Sequence, residues 1–421
     1  MKVALITGTT RTTNGTQDWT DANISSDFVA ACFLTSNATA NATSTANGMV
    51  GIGWTDAASS MAIAIGNQDA TATASAVNST VINNTKCLLV LGSSATTVSA
   101  ASYNSTLSNG VRISYGVTDG VAHNMAAMLI SGTDMGVKLS QANFGATDST
   151  ITVTHGGSKA PSAVMIMAIT GTTVDPGSQS SNITIGFWDG SNSVGGTFGN
   201  QSFSATQTNV FGRYVGTDLG HICRDNTERA TLTISNVTAT TFDISTSAVQ
   251  AGGIQVHIVS FFQLSNTASA KAAIGTTPTS TGNFNPATGL LVKPQILFTV
   301  SSRLTGTTFT TSDAAGSFGI GISVDNAGST QQFSTAITAQ DNVATTVAKS
   351  QSNTGAGMYT LDNTGAAAGT GAVNAWNSNG SVQMNASQAW PAAQEYLSFA
   401  IGIGSLAPGG GNQNGLTLFV G

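Results

Sequence analysis

The side chains with the clearest chemical potential in this sequence are two aromatic–carboxylate pairs, Trp54 with Asp56 and Trp188 with Asp189. Such a pair can serve a sugar, the ring face stacking on the pyranose while the carboxylate takes its hydroxyls. The same residues suit a plainer role, in which Trp54 and Phe187 face a core and the aspartate binds the backbone of the following turn. A third occurrence, Ile322 followed by Asp325, keeps the apolar residue and the acid but has no tryptophan. The core-and-turn reading expects that pattern.

Other catalytic arrangements fail on count or spacing. The four histidines, His123, His155, His221 and His257, never pair at metal-ligand spacing, and no acidic cluster accompanies them. No metal and no cofactor is expected. His221 and Cys223 stand two apart in His221-Ile222-Cys223-Arg224-Asp225, but nothing completes a nucleophile, base and orienting acid. Glycoside hydrolysis needs paired carboxylic acids, and glutamate occurs only at Glu228 and Glu395. The sequence reads as that of a protein that is not an enzyme.

Elements of what kind would position these residues? Only 8% of the residues are charged, against about 25% in ordinary domains. Ser, Thr, Asn, Ala and 48 glycines fill the gap. With 40% apolar residues and a mean hydropathy of +0.13 the chain is not disordered. A net charge of −6 and 13 scattered bases leave no footprint for nucleic acid. Cys32, inside the apolar run Phe28–Leu34, and Cys87, opening Cys87–Val90, read as buried small hydrophobes; with Cys223 the three form no CxxC or even disulfide set. Lys2 precedes only Val3-Ala4-Leu5-Ile6, too short for the apolar region of a signal peptide, and no run approaches the ~20 apolar residues of a membrane helix. No membrane partner is expected. A neutral hydroxyl-and-amide surface without an export signal fits a protein released by lysis.

Internal repetition organises the chain. Apolar strands open at Phe28, Pro161 and Pro294, 133 residues apart each time. An Ile-Gly element follows at Ile52-Gly53-Trp54, Ile185-Gly186-Phe187 and Ile320-Gly321-Ile322, after 24, 24 and 26 residues. Looser landmarks are an Asn-Thr pair (Asn84-Thr85, Asn226-Thr227, Asn353-Thr354), an alternating strand (Val111–Ser114, Phe242–Ser245, Val382–Asn385) and a closing apolar strand (Met125–Ile130, Ile258–Leu264, Tyr396–Ile401). By these pairs the middle copy is shortened, with 16 residues from pair to alternating strand against 27 and 29. Every landmark reads as a short strand bounded by Gly, Asn, Asp or Ser. Ser387–Tyr396 is the one helix candidate, and Pro391 argues against it. The expected fold is all-β, three tandem antiparallel β-sandwich domains of jelly-roll type. Their expected extents are residues 1–131, 132–266 and 267–407, with a Gly-rich tail over 408–421. Because Val164, Ile166, Ile296 and Phe298 alternate with Met165 and Leu297, both faces of these strands are apolar, so a neighbour must cover the second face.

Two segments are simple in composition. Ser36–Gly48 reads as a polar loop, open to glycan contact. The tail, Pro408–Gly415, precedes an apolar Leu416–Val420, whose Leu416, Leu418, Phe419 and Val420 are candidate assembly contacts through strand addition.

A strand opening with proline and running apolar (Pro161–Met167, Pro294–Val300), then a loop, then Ile-Gly-Phe-Trp-Asp (Ile185–Asp189), resembles a module of structural proteins of tailed bacteriophage virions. The first copy departs from it, with Phe28 in place of the proline. The resemblance covers most of the chain and carries no active-site residue. It implies a virion protein on the outer surface of the particle, a capsid decoration or cement protein whose partners are the major capsid protein or other virion proteins. The alternative is a receptor-binding tail or fibre protein contacting host glycans. Either a homo-oligomer or a single chain imitating a trimer, with pseudo-threefold symmetry, is compatible with three repeats.

Overall fold

In a computed structural model, the structure describes residues 1–92, 96–145, 147, 149–170, 180–201, 208, 210–216, 218–224, 227–247, 253–263, 267–306 and 316–404. The chain is all-β. Among the described residues a single 3-10 turn, Thr73–Ser75, is the only helical element, and Ser387–Tyr396 forms the end of one strand, a bend and the start of the next instead.

Three antiparallel sandwiches follow one another, each made of an inner sheet and a four-stranded outer sheet. The first inner sheet runs Lys2–Thr9, Asn124–Ser131, Phe28–Ser36, Met49–Thr55, Ser60–Asn67, Asn78–Asn83 in spatial order. The second runs Met135–Phe144, Ile254–Gln263, Ala163–Thr170, Ser180–Trp188, Ser193–Gln201, Val210–Val215 in the same topology. The third runs Thr267–Thr276, Glu395–Gly404, Ile296–Ser302, Gly316–Asn326, Ser329–Ala339, Ala348–Asn353, and then gains a seventh strand, Thr45–Ala46, from the first sandwich. Along the chain, the first inner sheet ends with Ser131 and the second begins at Met135; the second ends with Gln263 and the third begins at Thr267.

Strand alternation decides what each inner sheet buries. Val164 and Ile166 point into their own sandwich, whereas Met165 points to a core shared by all three. In the third sandwich Leu297 faces inward to its own outer sheet, and Ile296 and Phe298 face the shared core. Both faces of these strands are therefore covered, which is why they read as continuous apolar runs.

The repeated Ile-Gly element has a steric cause. The glycine faces the residue that leads into an edge strand of its own outer sheet (Leu88–Leu91, Gly220–Arg224 or Met358–Leu361), whose backbone crosses at contact distance. A Cβ on Gly53 would lie 2.2 Å from the Cys87 carbonyl oxygen, on Gly186 1.5 Å from that of Leu219, and on Gly321 1.9 Å from that of Gly357. Buried hydroxyls complete the contact: Thr35 donates to the Leu89 carbonyl at 2.8 Å, and Ser301 to that of Tyr359 at 2.8 Å.

One landmark is corrected. Asn84-Thr85 and Asn353-Thr354 precede equivalent outer strands, Leu88–Leu91 and Met358–Leu361, but Thr227 opens the following strand, Thr227–Ser235. The second sandwich's equivalent strand, Gly220–Arg224, comes earlier. The apparent shortening of the middle copy reflects a misaligned Asn-Thr pair.

Candidate functional site

Cross-strand register generates the centre of the molecule. One row of directly opposed residues crosses the first inner sheet as Leu5, Met128, Cys32, Trp54, Met61. The equivalent rows are Leu139, Val259, Met165, Phe187, Val194 and Ala272, Phe399, Phe298, Ile322, Phe333. All fifteen side chains belong to, or pack against, the shared core. Aromatic rings from the three sandwiches meet there. Trp54 lies 5.8 Å from Phe261 and 5.9 Å from Phe298, and Phe187 stacks on Phe399 at 4.8 Å. Contacts of this kind add about 0.5–1.5 kcal/mol beyond the area they bury.

The turn aspartates do more than hold turns. Asp56 Oδ1 accepts the N–H groups of Ala58 and Ser59 at 3.1 and 2.7 Å, closing its own hairpin. Its Oδ2 accepts the N–H of Leu139, in the first strand of the next sandwich, at 3.2 Å. Asp189 repeats the arrangement: Oδ1 accepts from Ser191 and Asn192 at 3.0 and 2.7 Å, and Oδ2 from Ala272 at 3.1 Å. Lys271 Nζ stands 3.8 Å from the same oxygen. Leu139 and Ala272 head the rows described above, so each clasp fixes the register of one sheet against the next.

The ring closes differently between the third sandwich and the first. Asp325 still holds its turn, accepting the Gly328 N–H at 2.9 Å, but its Oδ2 pairs with Lys293 Nζ at 2.5 Å. The N–H of Leu5, equivalent to Leu139 and Ala272, donates to Gln331 Oε1 at 2.8 Å instead. Beside this substitution lies a cavity of about 230 Å³, lined by Met1, Lys2, Val3, Asn23, Gln295, Asp325, Asn326 and Ala327. Its amides are engaged: Asn23 donates to Asn326 Oδ1 at 2.6 Å, Asn326 to Gln331 Oε1 at 3.0 Å, and Gln295 Oε1 accepts from Ile403.

These placements correct the glycan reading of the aromatic–carboxylate pairs. Trp54 is fully buried among three sandwiches and presents no face to solvent. Trp188 is half-buried and packs against the second sandwich's own core, on the opposite face of the strand from Phe187. Asp56 and Asp189 have their oxygens committed to backbone amides. The loop Ser36–Gly48 does not stand free either. It lies along the outer edge of Ala348–Asn353, with Ala46 opposite Lys349, Thr45 opposite Ser350, and Ala42 N–H donating to the Ser352 carbonyl at 2.7 Å. Asp69 pairs with Lys349 alongside it.

The histidines and cysteines play packing or local roles. His123 bridges Asp119 Oδ2 at 2.9 Å and the Asn37 carbonyl at 3.2 Å. His155 stacks on Phe242, and His221 Nε2 stands 3.3 Å from Asp218 Oδ2. His257 occupies the position of Ala126 and Leu397 in neighbouring rows, and burial depresses its pKa to about 3. Burial likewise raises the Cys32 thiol well above its ordinary range and pushes Cys87 up to about 12, so neither is a thiolate at neutral pH. Among the described residues no group of three His, Cys, Asp or Glu could hold a metal ion, and no helix is long and apolar enough to cross a membrane. Leu416, Leu418, Phe419 and Val420 lie outside the described residues.

No protein-family model matches the chain, and no curated protein matches it. Among solved structures it is similar to domains LG4-5 of the mouse laminin alpha1 chain, at 10% identity over 66% of this chain and 85% of that one, with a TM-score of 0.08. A likeness at that score carries no argument.

Proposed function

We propose that this chain is a structural virion protein that decorates or cements the outside of a bacteriophage capsid, acting by binding and not by catalysis. The observation that carries the reading is the closed set of three equivalent sandwiches around one shared core. A single chain of that form can occupy a threefold or quasi-threefold position that a homotrimer would otherwise fill. The neutral surface supports it: with 8% charged residues, association rests on apolar burial and uncharged hydrogen bonds. The tail, through Leu416–Val420, serves as the clamp on the major capsid protein or another virion protein. The receptor-binding alternative draws less support, because Trp54 is enclosed and the Ser36–Gly48 loop is engaged by the third sandwich.

The test is a binding assay on purified particles with the full chain and with residues 408–421 deleted. The full chain saturates the particles, and its release changes little between low and physiological salt. The deletion variant stays folded but binds at least tenfold more weakly. Full occupancy by the deletion variant would remove the tail from the account.

A further inference from the structure

The strand that extends the third inner sheet is the shortest of the described strands. Thr45–Ala46 is two residues long, whereas every other described strand has at least four. The side chains of residues 39–44 and of Ala46 are exposed, so no apolar burial anchors this strap. It is held by main-chain pairing at Lys349 and Ser350, by Ala42 N–H on the Ser352 carbonyl, by Thr354 N–H on Asn41 Oδ1 at 2.8 Å, and by the Asn37 amide, which donates to the Ala46 carbonyl at 3.1 Å and accepts from Ser350. Segments with few buried apolar contacts open at low free-energy cost. Beneath it, Ala348–Asn353 is a six-residue strand, paired on its other side and buried at Ala348, Ser350, Gln351 and Ser352. Its outer edge is a strand-pairing template that the strap covers with two ladder positions and one further isolated bridge, Asn41 to Ser352.

We propose that this edge is a strand-acceptor site, that the strap is its resident competitor, and that the incoming strand is Leu416–Val420 of a second copy of this chain. The proposal rests on the reading of the tail as a clamp and names a surface the clamp meets. Leu-Thr-Leu-Phe-Val has the β-branched and aromatic character that strand addition favours. Residues 405–415 separate it from the last described strand, which allows a reach of roughly 36 Å, enough for a neighbouring chain. The chain's own edge, five strand spacings or about 24 Å away, is the competing acceptor, and its use would leave the chain monomeric in the test below. Exchange replaces two ladder positions, one isolated bridge and exposed side chains with up to five paired residues. It would link decorated positions laterally, strand into edge.

A disulfide lock tests this on the full chain. Ala46 and Lys349 face each other across an antiparallel pair, at a Cα separation of roughly 4.5–5.5 Å that suits a disulfide. Wild type, the Ala46→Cys/Lys349→Cys variant oxidised and reduced, and the 408–421 deletion are compared by sedimentation velocity over a concentration series. Wild type self-associates reversibly. The oxidised lock and the deletion associate at least tenfold more weakly, and reducing the lock restores association. The proposal is overturned if wild type stays monomeric at every concentration, or if the oxidised lock associates like wild type. Particle binding separates the two readings. If deletion abolishes it while the oxidised lock leaves both binding and self-association whole, the clamp stands and the acceptor edge falls. If deletion changes neither property, both fall.

Discussion

The carboxylate of Asp56 accepts the main-chain N–H of Leu139 across the boundary between two sandwiches, at 3.2 Å, while its other oxygen holds its own turn. Asp189 does the same for Ala272. One side chain thus couples the conformation of a hairpin to the alignment of its neighbour. A change in either turn is felt at the seam.

Replacing Asp189 by Ala strands the N–H groups of Ser191, Asn192 and Ala272. Each buried donor left without a partner costs about 1–3 kcal/mol, and the exposed turn amides less, since water replaces the carboxylate. Denaturant titration should show a loss of about 2–4 kcal/mol. Asp189→Asn keeps one acceptor oxygen and should lose less. An Asp189→Asn variant as stable as wild type would mean that the second oxygen does not clasp.

Glycines of the Ile-Gly element should not tolerate a methyl group. Gly186→Ala sets a Cβ against the Leu219 carbonyl, and Gly321→Ala against that of Gly357. Overpacking of a closed core costs about 1–3 kcal/mol or more, so both variants should melt well below wild type. Gly116 has open space around its would-be Cβ, and Gly116→Ala should melt within a degree or two of wild type. A neutral Gly186→Ala would show that the two sheets do not approach as described.

Phe298 brings the third sandwich against Trp54 and, together with Phe399, against Phe187. Truncation to Ala should cost about 3–5 kcal/mol. A double-mutant cycle with Trp54→Phe should show coupling above ~0.5 kcal/mol. Additive effects would place the two residues in separate cores.

The pH dependence of stability should carry the signature of His257. Its folded pKa is depressed to about 3 by burial, while the unfolded chain takes up a proton near the ordinary value of about 6.5. Below that pH the unfolded state binds more protons, so stability falls as pH falls through the window from ~6.5 to ~3. His257→Leu copies the residue at the equivalent position, Leu397, and removes the term. The difference between variant and wild type should widen by about 1.4 kcal/mol per pH unit between pH 6 and 4.5. A constant difference would mean that the imidazole is solvated.

Much of this architecture is legible in the residues. Cys32, Met165 and Phe298 fall 133 apart, and period-two alternation puts them on one face whatever their chemistry. The turn role of Asp56 and Asp189 follows from an acid placed just after the hairpin's strand. Their second role does not, because Leu139 and Ala272 lie 83 residues further on and nothing local marks a backbone amide as a recipient. Apolar runs on both faces announce a second cover, yet not which neighbour supplies it. Trp54 looks the same in sequence whether it meets a sugar or two phenylalanines. The strap Thr45–Ala46 is illegible for a different reason: its sequence is polar and repetitive, and its pairing is made by backbone atoms that every residue carries.

The central claim is that one chain, with its three sandwiches around a shared core, stands where a trimer would. A reconstruction of particles decorated with the full-length protein tests it most directly. The account predicts one chain at each occupied threefold or quasi-threefold position, its three sandwiches about the axis. Three chains and nine sandwiches around the axis, or particles whose capsid shell carries no density for this chain, would contradict it.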